Sequence, residues 1–370
     1  MSKIMCSLLR GFSLNNPVNY YPVGVAIWKT CALHTHHTGL TRGCCRQQAK
    51  VKDRHRGNSS TRALSGSDSN ISCQVIYEDE NVLALNKPQY FSVYGKSNYA
   101  EEERKDSKDN ADTATESVSQ LLPDLAVNFG CSDLEIGLSL KSFYSGVVLL
   151  SKTSESKASL DKFLSKAAAQ KVLFMSYLAI TVGIPQCVYG VPLHSCVARE
   201  SLHGLEMSVI HEKGSQSARK DGKMMLLPHT VEPLAINSDL GAALVRVTVN
   251  KDKWGALEAI LSYYLSPVLG DTKYSARTHT VMGAPFPTSP LAAPPGPQRL
   301  PAKLQACLTS DLSLSPVDRS RLFLHRHQVN LTQFPRRAAA PLAITATPPS
   351  HFLSTLKCLG LFSEKLFHHS

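Results

Sequence analysis

The chain of 370 residues contains no apolar run of roughly 18 or more, so no segment is built to cross a bilayer as a helix. It has no glycine period and no sustained heptad pattern, which excludes a collagen-like or coiled-coil rod, and no convincing internal repeat. Its ten cysteines lack Cys-x-x-Cys spacing, and Cys6, Cys31, Cys44 and Cys45 sit near the start. That pattern indicates neither a zinc site nor a disulfide framework, and buried free thiols are the default. Acidic residues are missing altogether from the first 52 positions, which instead carry Lys3, Arg10, Lys29, Arg42, Arg46, Lys50 and Lys52 among Ser, Thr and apolar residues. A clean apolar stretch ending in a small-residue cleavage site is also missing, which argues against a secretory signal.

A basic leader without acids has the composition of a mitochondrial transit peptide, because a negative-inside membrane potential pulls directly on each positive charge. The expected destination is the mitochondrial matrix. The leader also explains most of the net charge of +11: ten Lys/Arg against two Asp/Glu fall within residues 1–70. Residues 71–370 are nearly balanced in charge, so whole-chain basicity does not by itself argue that the folded part binds nucleic acid. The expected organisation is a leader over 1–70 and one domain over 71–365, with insertions at about 97–124, where acids and Ser/Asp/Asn cluster, and at 277–303, where proline recurs.

Within the domain, Gln74 to Lys87 reads as a hairpin, two strand-like runs around a polar turn. Val147 to Leu150 reads as a short buried strand, followed by a helix with Leu160, Phe163, Leu164 and Ala167 on one face. Val172 to Val182 and Leu244 to Val249 are strand-like, and Trp254, Leu257, Leu261 and Tyr264 form a helical stripe. A last strand is expected over Arg321 to Leu331 and a short helix over His351 to Leu361. The class is α+β.

Four segments, VIYEDENVLALNKPQ (75–89), YSGVVLLSKT (144–153), YLAITVGIP (177–185) and PVLGDTKYSAR (267–277), resemble in order and spacing the motifs of RluA-type pseudouridine synthases. LFLHRHQV (322–329) and PSHFLSTLKCLGL (349–361) are weaker echoes. The resemblance implies a central, mostly antiparallel mixed sheet flanked by helices, an RNA substrate, no metal or organic cofactor, and isomerisation of uridine to pseudouridine after the base leaves its stack. In that family an Asp acts as nucleophile in His-Arg-Leu-Asp-x-x-Thr-Ser-Gly. With Ser145 and Gly146 fixing the register, that position holds Lys141. A protonated lysine is no nucleophile. The family's Arg that pairs with the Asp falls on Glu258, so Lys141 and Glu258 are expected to form the same ion pair with its signs exchanged; a solvated Glu258 is the plainer alternative.

Tyr177 matches the tyrosine that packs on the flipped base, or is a core strand tyrosine; its usual companion lysine is Met175 here. Lys87 and Pro88 match the Lys-Pro of the first motif, and Asp271 and Tyr274 match Gly-Asp-x-x-Tyr, where Asp271 is expected to cap a turn. Candidate RNA contacts are Lys87, Lys251, Lys253 and Arg277, with a solvated lysine face as the plain alternative. His325 and His327 lack acidic or Cys partners and are expected on a strand rather than on a metal. Three functions stay open: an active enzyme using another carboxylate such as Asp133 or Glu135, a non-catalytic RNA-binding member holding RNA or a ribosome-assembly partner, and a protein-interaction scaffold.

Overall fold

The computed structural model describes residues 73–95, 117–282, 284–310, 315, 317, 320–336 and 339–366. The predicted leader, and most of the predicted insertion at 97–124, lie outside these. The hairpin of β1 (Gln74–Glu78) and β2 (Val82–Lys87) forms as expected, its turn tied by Asp79, whose Oδ1 accepts from the backbone N–H groups of Asn81 and Val82 at 2.7 Å each. Next comes α1 (Val118–Asn128), so the end of the predicted insertion is helical, with Val118 and Leu125 in the core. Then follow β3 (Glu135–Leu138) and β4 (Ser145–Ser151), every residue of β4 being buried. Thr153 caps α2 (Ser154–Gln170) by accepting from Ser156 N–H at 3.1 Å, and Leu160, Phe163 and Ala167 face inward at helical spacing.

Strand β5 (Met175–Val182) precedes a region that periodicity leaves unread: β6 (Leu193–Leu202), β7 (Leu205–His211), the short α3 (Gln216–Lys220) and β8 (Met224–Asn237). The chain continues with β9 (Ala242–Val249) and α4 (Ala256–Tyr263). The proline-rich stretch is not all loop, since β10 (Thr278–Val281) and β11 (Ala284–Pro287) pair antiparallel there. The last elements are α5 (Ala302–Ser310), β12 (Leu324–Leu331), β13 (Leu342–Thr345) and α6 (Ser350–Cys358).

Eleven strands form one sheet in the order β1-β2-β4-β12-β5-β9-β8-β6-β7, with β3 and β13 added on β4 and β12. All of these strand pairings are antiparallel except β4 with β12, so the sheet is mixed. Gly146 makes that parallel junction possible: its φ is +118°, and a Cβ there would lie 2.2 Å from the carbonyl oxygen of Arg326. The late strand β12 is thereby brought against both β4 and β5, and its side chains reach the loop before β4. Among the described residues no helix is long and apolar enough to cross a membrane.

Candidate functional site

The loop 139–144 between β3 and β4 is held by groups that the hairpin supplies. Lys87 is completely buried and its ammonium donates to four carbonyls: Pro88 and Phe91 at 2.9 Å, Ser142 at 3.0 Å and Tyr144 at 2.6 Å. A buried cation is tolerable when its protons all find acceptors. Gln89 adds a bond from its side-chain amide to the carbonyl of Phe143 at 2.9 Å. Lys87 is therefore a staple of this loop rather than an RNA contact, and sequence could not tell the two uses of its charge apart.

The stapled loop presents Lys141, whose side chain is 18% exposed, to Asp252 in the turn after β9; Nζ and Oδ1 are 3.1 Å apart. The other carboxylate oxygen accepts from Tyr177 OH on β5 at 2.9 Å. Tyr177 in turn accepts from Nε of Arg326 on β12 at 2.7 Å, and Arg326 Nη2 lies 3.6 Å from Asp252 Oδ2. Arg326 is fixed by a further bond from Nη1 to the carbonyl of Ser139 at 2.7 Å, and its guanidinium packs over the Tyr177 ring at 5.3 Å. Lys141 Nζ also lies 3.2 Å from Tyr144 OH, above that ring. Two cations, two phenols and a carboxylate from four separate segments thus converge on one point.

Glu258 is buried on α4 in the same neighbourhood but makes no ion-pair contact with Lys141; the direct partner is Asp252. Burial alone would push the Lys141 ammonium toward losing its proton, but the negative charges of Asp252 and then Glu258 outweigh it, and the net shift is upward. Lys141 is thus cationic at neutral pH. Burial, followed by the nearby carboxylates of Glu258 and Asp252, drives the Tyr144 hydroxyl well above its ordinary value. Burial also dominates at Tyr177, where Arg326 pulls down and Asp252 pushes up, with a net rise. Both phenols stay neutral.

Lys141 thus pairs with Asp252 where the sequence reading predicts Glu258. The family's Gly-Arg-x-His-Gln-Ile-Arg stretch, laid so that its last Arg falls on Glu258, places its Gly at Asp252. A glycine replaced by Asp, six residues before the expected acid and next to Lys253, is the signal that could have identified the partner. Arg326, between His325 and His327 on a strand of otherwise apolar or neutral residues, was equally open to being read as buried.

The other predicted residues separate into structural and exposed groups. Asp271 caps its turn as expected, Oδ1 accepting from the N–H groups of Lys273 at 2.8 Å and Tyr274 at 2.9 Å, and burial raises its pKa to about 7. Arg277 is buried, donates from Nη1 to the carbonyl of Ser208 at 2.6 Å and lies over the Tyr274 ring, so its charge does not face solvent. His325 sits between Ser145 Oγ at 2.9 Å and the carbonyl of Ala346 at 3.1 Å, and burial lowers its pKa to about 3. Among the described residues no group of three or more His, Cys, Asp or Glu is arranged to hold a metal. Asp133 and Glu135 are both exposed.

Lys251 and Lys253 flank Asp252 but line an open cleft of about 490 Å³ beside the cluster, together with Lys171, Arg219 and Trp254. Trp254, expected in the helical stripe, instead precedes α4 with φ of +62°, and Gly255 follows at +70°. A bulky residue in the left-handed region costs about 1–3 kcal/mol and persists only where surroundings impose it. Here the Trp254 carbonyl accepts from both Ser208 Oγ, at 2.5 Å, and Tyr274 OH, at 3.2 Å.

No protein-family model matches the chain. Among solved structures, human RNA pseudouridylate synthase domain containing 4 matches with a TM-score of 0.53 at 20% identity, over 77% of this chain and 92% of that one, which establishes a pseudouridine synthase fold. The mitochondrial mRNA pseudouridine synthase RPUSD3 of Homo sapiens is 27% identical over 88% of this chain and 87% of its own length. The Bos taurus protein of the same name is 30% identical over 76% of this chain and 75% of its own. By that measure the chain belongs to the RPUSD3 family of pseudouridine synthases.

Proposed function

We propose that the chain acts in the mitochondrial matrix on mitochondrial mRNA or rRNA, isomerising uridine to pseudouridine at the Lys141–Asp252–Tyr177–Arg326 cluster. The observation that carries this reading is the retention of a buried carboxylate, supplied by the turn after β9 where the family pattern has it in the loop before β4. In this reading an Asp252 oxygen bonds to C1′ as the C1′–N1 bond breaks and its electrons leave with the uracil. After the base turns, C5 bonds to C1′ and the carboxylate departs; the C5 proton is lost to water and N1 gains one, so no cofactor is consumed. Arg326 balances the anionic base and Tyr177 hydrogen-bonds the carboxylate, while Lys141, kept charged by Asp252 and then Glu258, only pairs with that carboxylate at rest. Lys141 would have to move aside to open the carboxylate.

The charged Lys141 also favours a second reading, a non-catalytic member that holds RNA or a ribosome-assembly partner. Tritium release from mitochondrial RNA labelled at uridine C5 separates the two. Release by the purified protein, retained in Lys141→Ala and reduced at least about 100-fold in Asp252→Asn, is expected. No release, with RNA still bound and an active family member as control, would establish the second reading instead.

A further inference from the structure

The basic cleft beside the cluster has a composition that the chemistry of uridine isomerisation does not use. It is lined by Lys171, at the end of α2, Arg219, on α3, and Lys251 and Lys253, with no acidic residue among those that line it. Lys171, Arg219 and Lys253 are exposed, and no described residue neutralises them as Asp252 neutralises Lys141. Its aromatic member, Trp254, is half-buried and held in a left-handed backbone conformation by two hydrogen bonds to its carbonyl. Both bonds end on the Trp254 carbonyl, so the backbone conformation they hold does not depend on the indole. The buried Met225 and Pro228 add apolar lining. Cations that track a chain of phosphates, interleaved with a fixed aromatic face on which a base stacks, are what single-stranded nucleic acid requires.

We infer that this cleft is a second RNA subsite, in which Trp254 stacks on a base flanking the target uridine while Lys171, Arg219, Lys251 and Lys253 bind its neighbouring phosphates. The inference rests on the reading of the chain as an RNA-acting enzyme and extends it to the strand around the target. The path is short, because Asp252 turns into the cluster while its two neighbours line the cleft. Lys251 and Lys253, each one residue from Asp252, therefore stand at the edge of the cleft next to the site.

The chain has two tryptophans, Trp28 and Trp254, so the full-length Trp28→Phe protein reports on Trp254 alone. Titration with a single-stranded oligouridylate is expected to quench its fluorescence. Four phosphate contacts should give a slope of about −2.8 in log affinity against log salt, falling by about 0.7 for each of Arg219→Ala and Lys253→Ala. Trp254→Ala should weaken binding roughly 5- to 150-fold, with Trp254→Phe, which keeps an aromatic face and the core packing, recovering much of it. Polyglutamate of matched charge should leave the fluorescence unchanged. RNA binding without quenching, an unchanged slope in both cation variants, or equal quenching by polyglutamate would overturn the inference. Tritium release measured on the same samples keeps the two readings apart: release without a Trp254 response defeats the subsite alone, and a Trp254 response without release defeats the isomerisation alone.

Discussion

Removing the Asp252 charge by Asp252→Asn tests the central electrostatic argument. The side chain of Asp252 is 4% exposed and that of Arg326 is 2% exposed, so neither can turn to water when its partner is lost. Asn keeps an oxygen for the Tyr177 hydroxyl, so the change removes mainly Coulomb energy. Leaving a buried cation uncompensated costs about 3–5 kcal/mol. For a fold of this size, 1 kcal/mol corresponds to about 2–4 °C in Tm, giving an expected drop of roughly 6–20 °C in a thermal melt. Most of the coupling should belong to Lys141, at 3.1 Å, rather than to Arg326, at 3.6 Å. In a double-variant cycle, Lys141→Met with Asp252→Asn should therefore recover more than about 1 kcal/mol relative to the sum of the singles, and more than Arg326→Met does with Asp252→Asn. Loss of less than about 1 kcal/mol in Asp252→Asn, or additivity in the Lys141 cycle, would refute the claim that this pair neutralises the site.

Lys87→Met should cost at least about 3 kcal/mol in urea denaturation, because the carbonyls of Pro88, Phe91 and Tyr144 lose this donor, that of Ser142 keeping the Tyr90 N–H, and each buried unsatisfied acceptor costs about 1–3 kcal/mol; an unchanged midpoint would return Lys87 to the surface. Gly146→Ala should destabilise the protein by more than about 2 kcal/mol and lower tritium release, since its Cβ meets the Arg326 backbone; full activity would show that β4 and β12 need no such closeness. Asp271 carries a pH signature. Its folded-state pKa of about 7 lies above the ordinary carboxylate value, so between about pH 4 and pH 7 the folded chain binds more protons than the unfolded one and stability falls as pH rises. The integrated loss is roughly 4 kcal/mol, and Asp271→Asn, which keeps the turn's acceptor oxygen, should remove it. The stability gap between variant and parent should widen in favour of the variant from pH 5 to pH 8, and a flat gap would refute the burial argument.

The elements legible in the sequence are those whose apolar residues lie close together in the chain. β4 is buried on both faces and reads as a continuous apolar run, and α2 shows its core face at every third or fourth residue. β6, β7 and β8 bury only part of their length, and their exposed Arg199, Glu206 and Glu232 interrupt the runs, so the pattern does not announce them. Trp254 misleads because its spacing suits a helix while its carbonyl is claimed by Ser208 and Tyr274, contacts that only the fold creates. At the site, Lys141 and Tyr177 follow from the resemblance. The roles of Asp252 and Arg326 are set by distance in space. Tyr177 and Arg326 are 149 residues apart in sequence, a relation that no local window contains.

The position of β12 has a consequence for the order in which the chain emerges during synthesis. This strand lies between β4 and β5 yet is made long after both, so until it arrives one edge of β5 and the Ser145–Gly146 end of β4, beyond the reach of β3, stay unpaired. The same arrival brings Arg326 to Tyr177. A chain that stops short of β12 therefore combines an adhesive, unclosed sheet with an unassembled site.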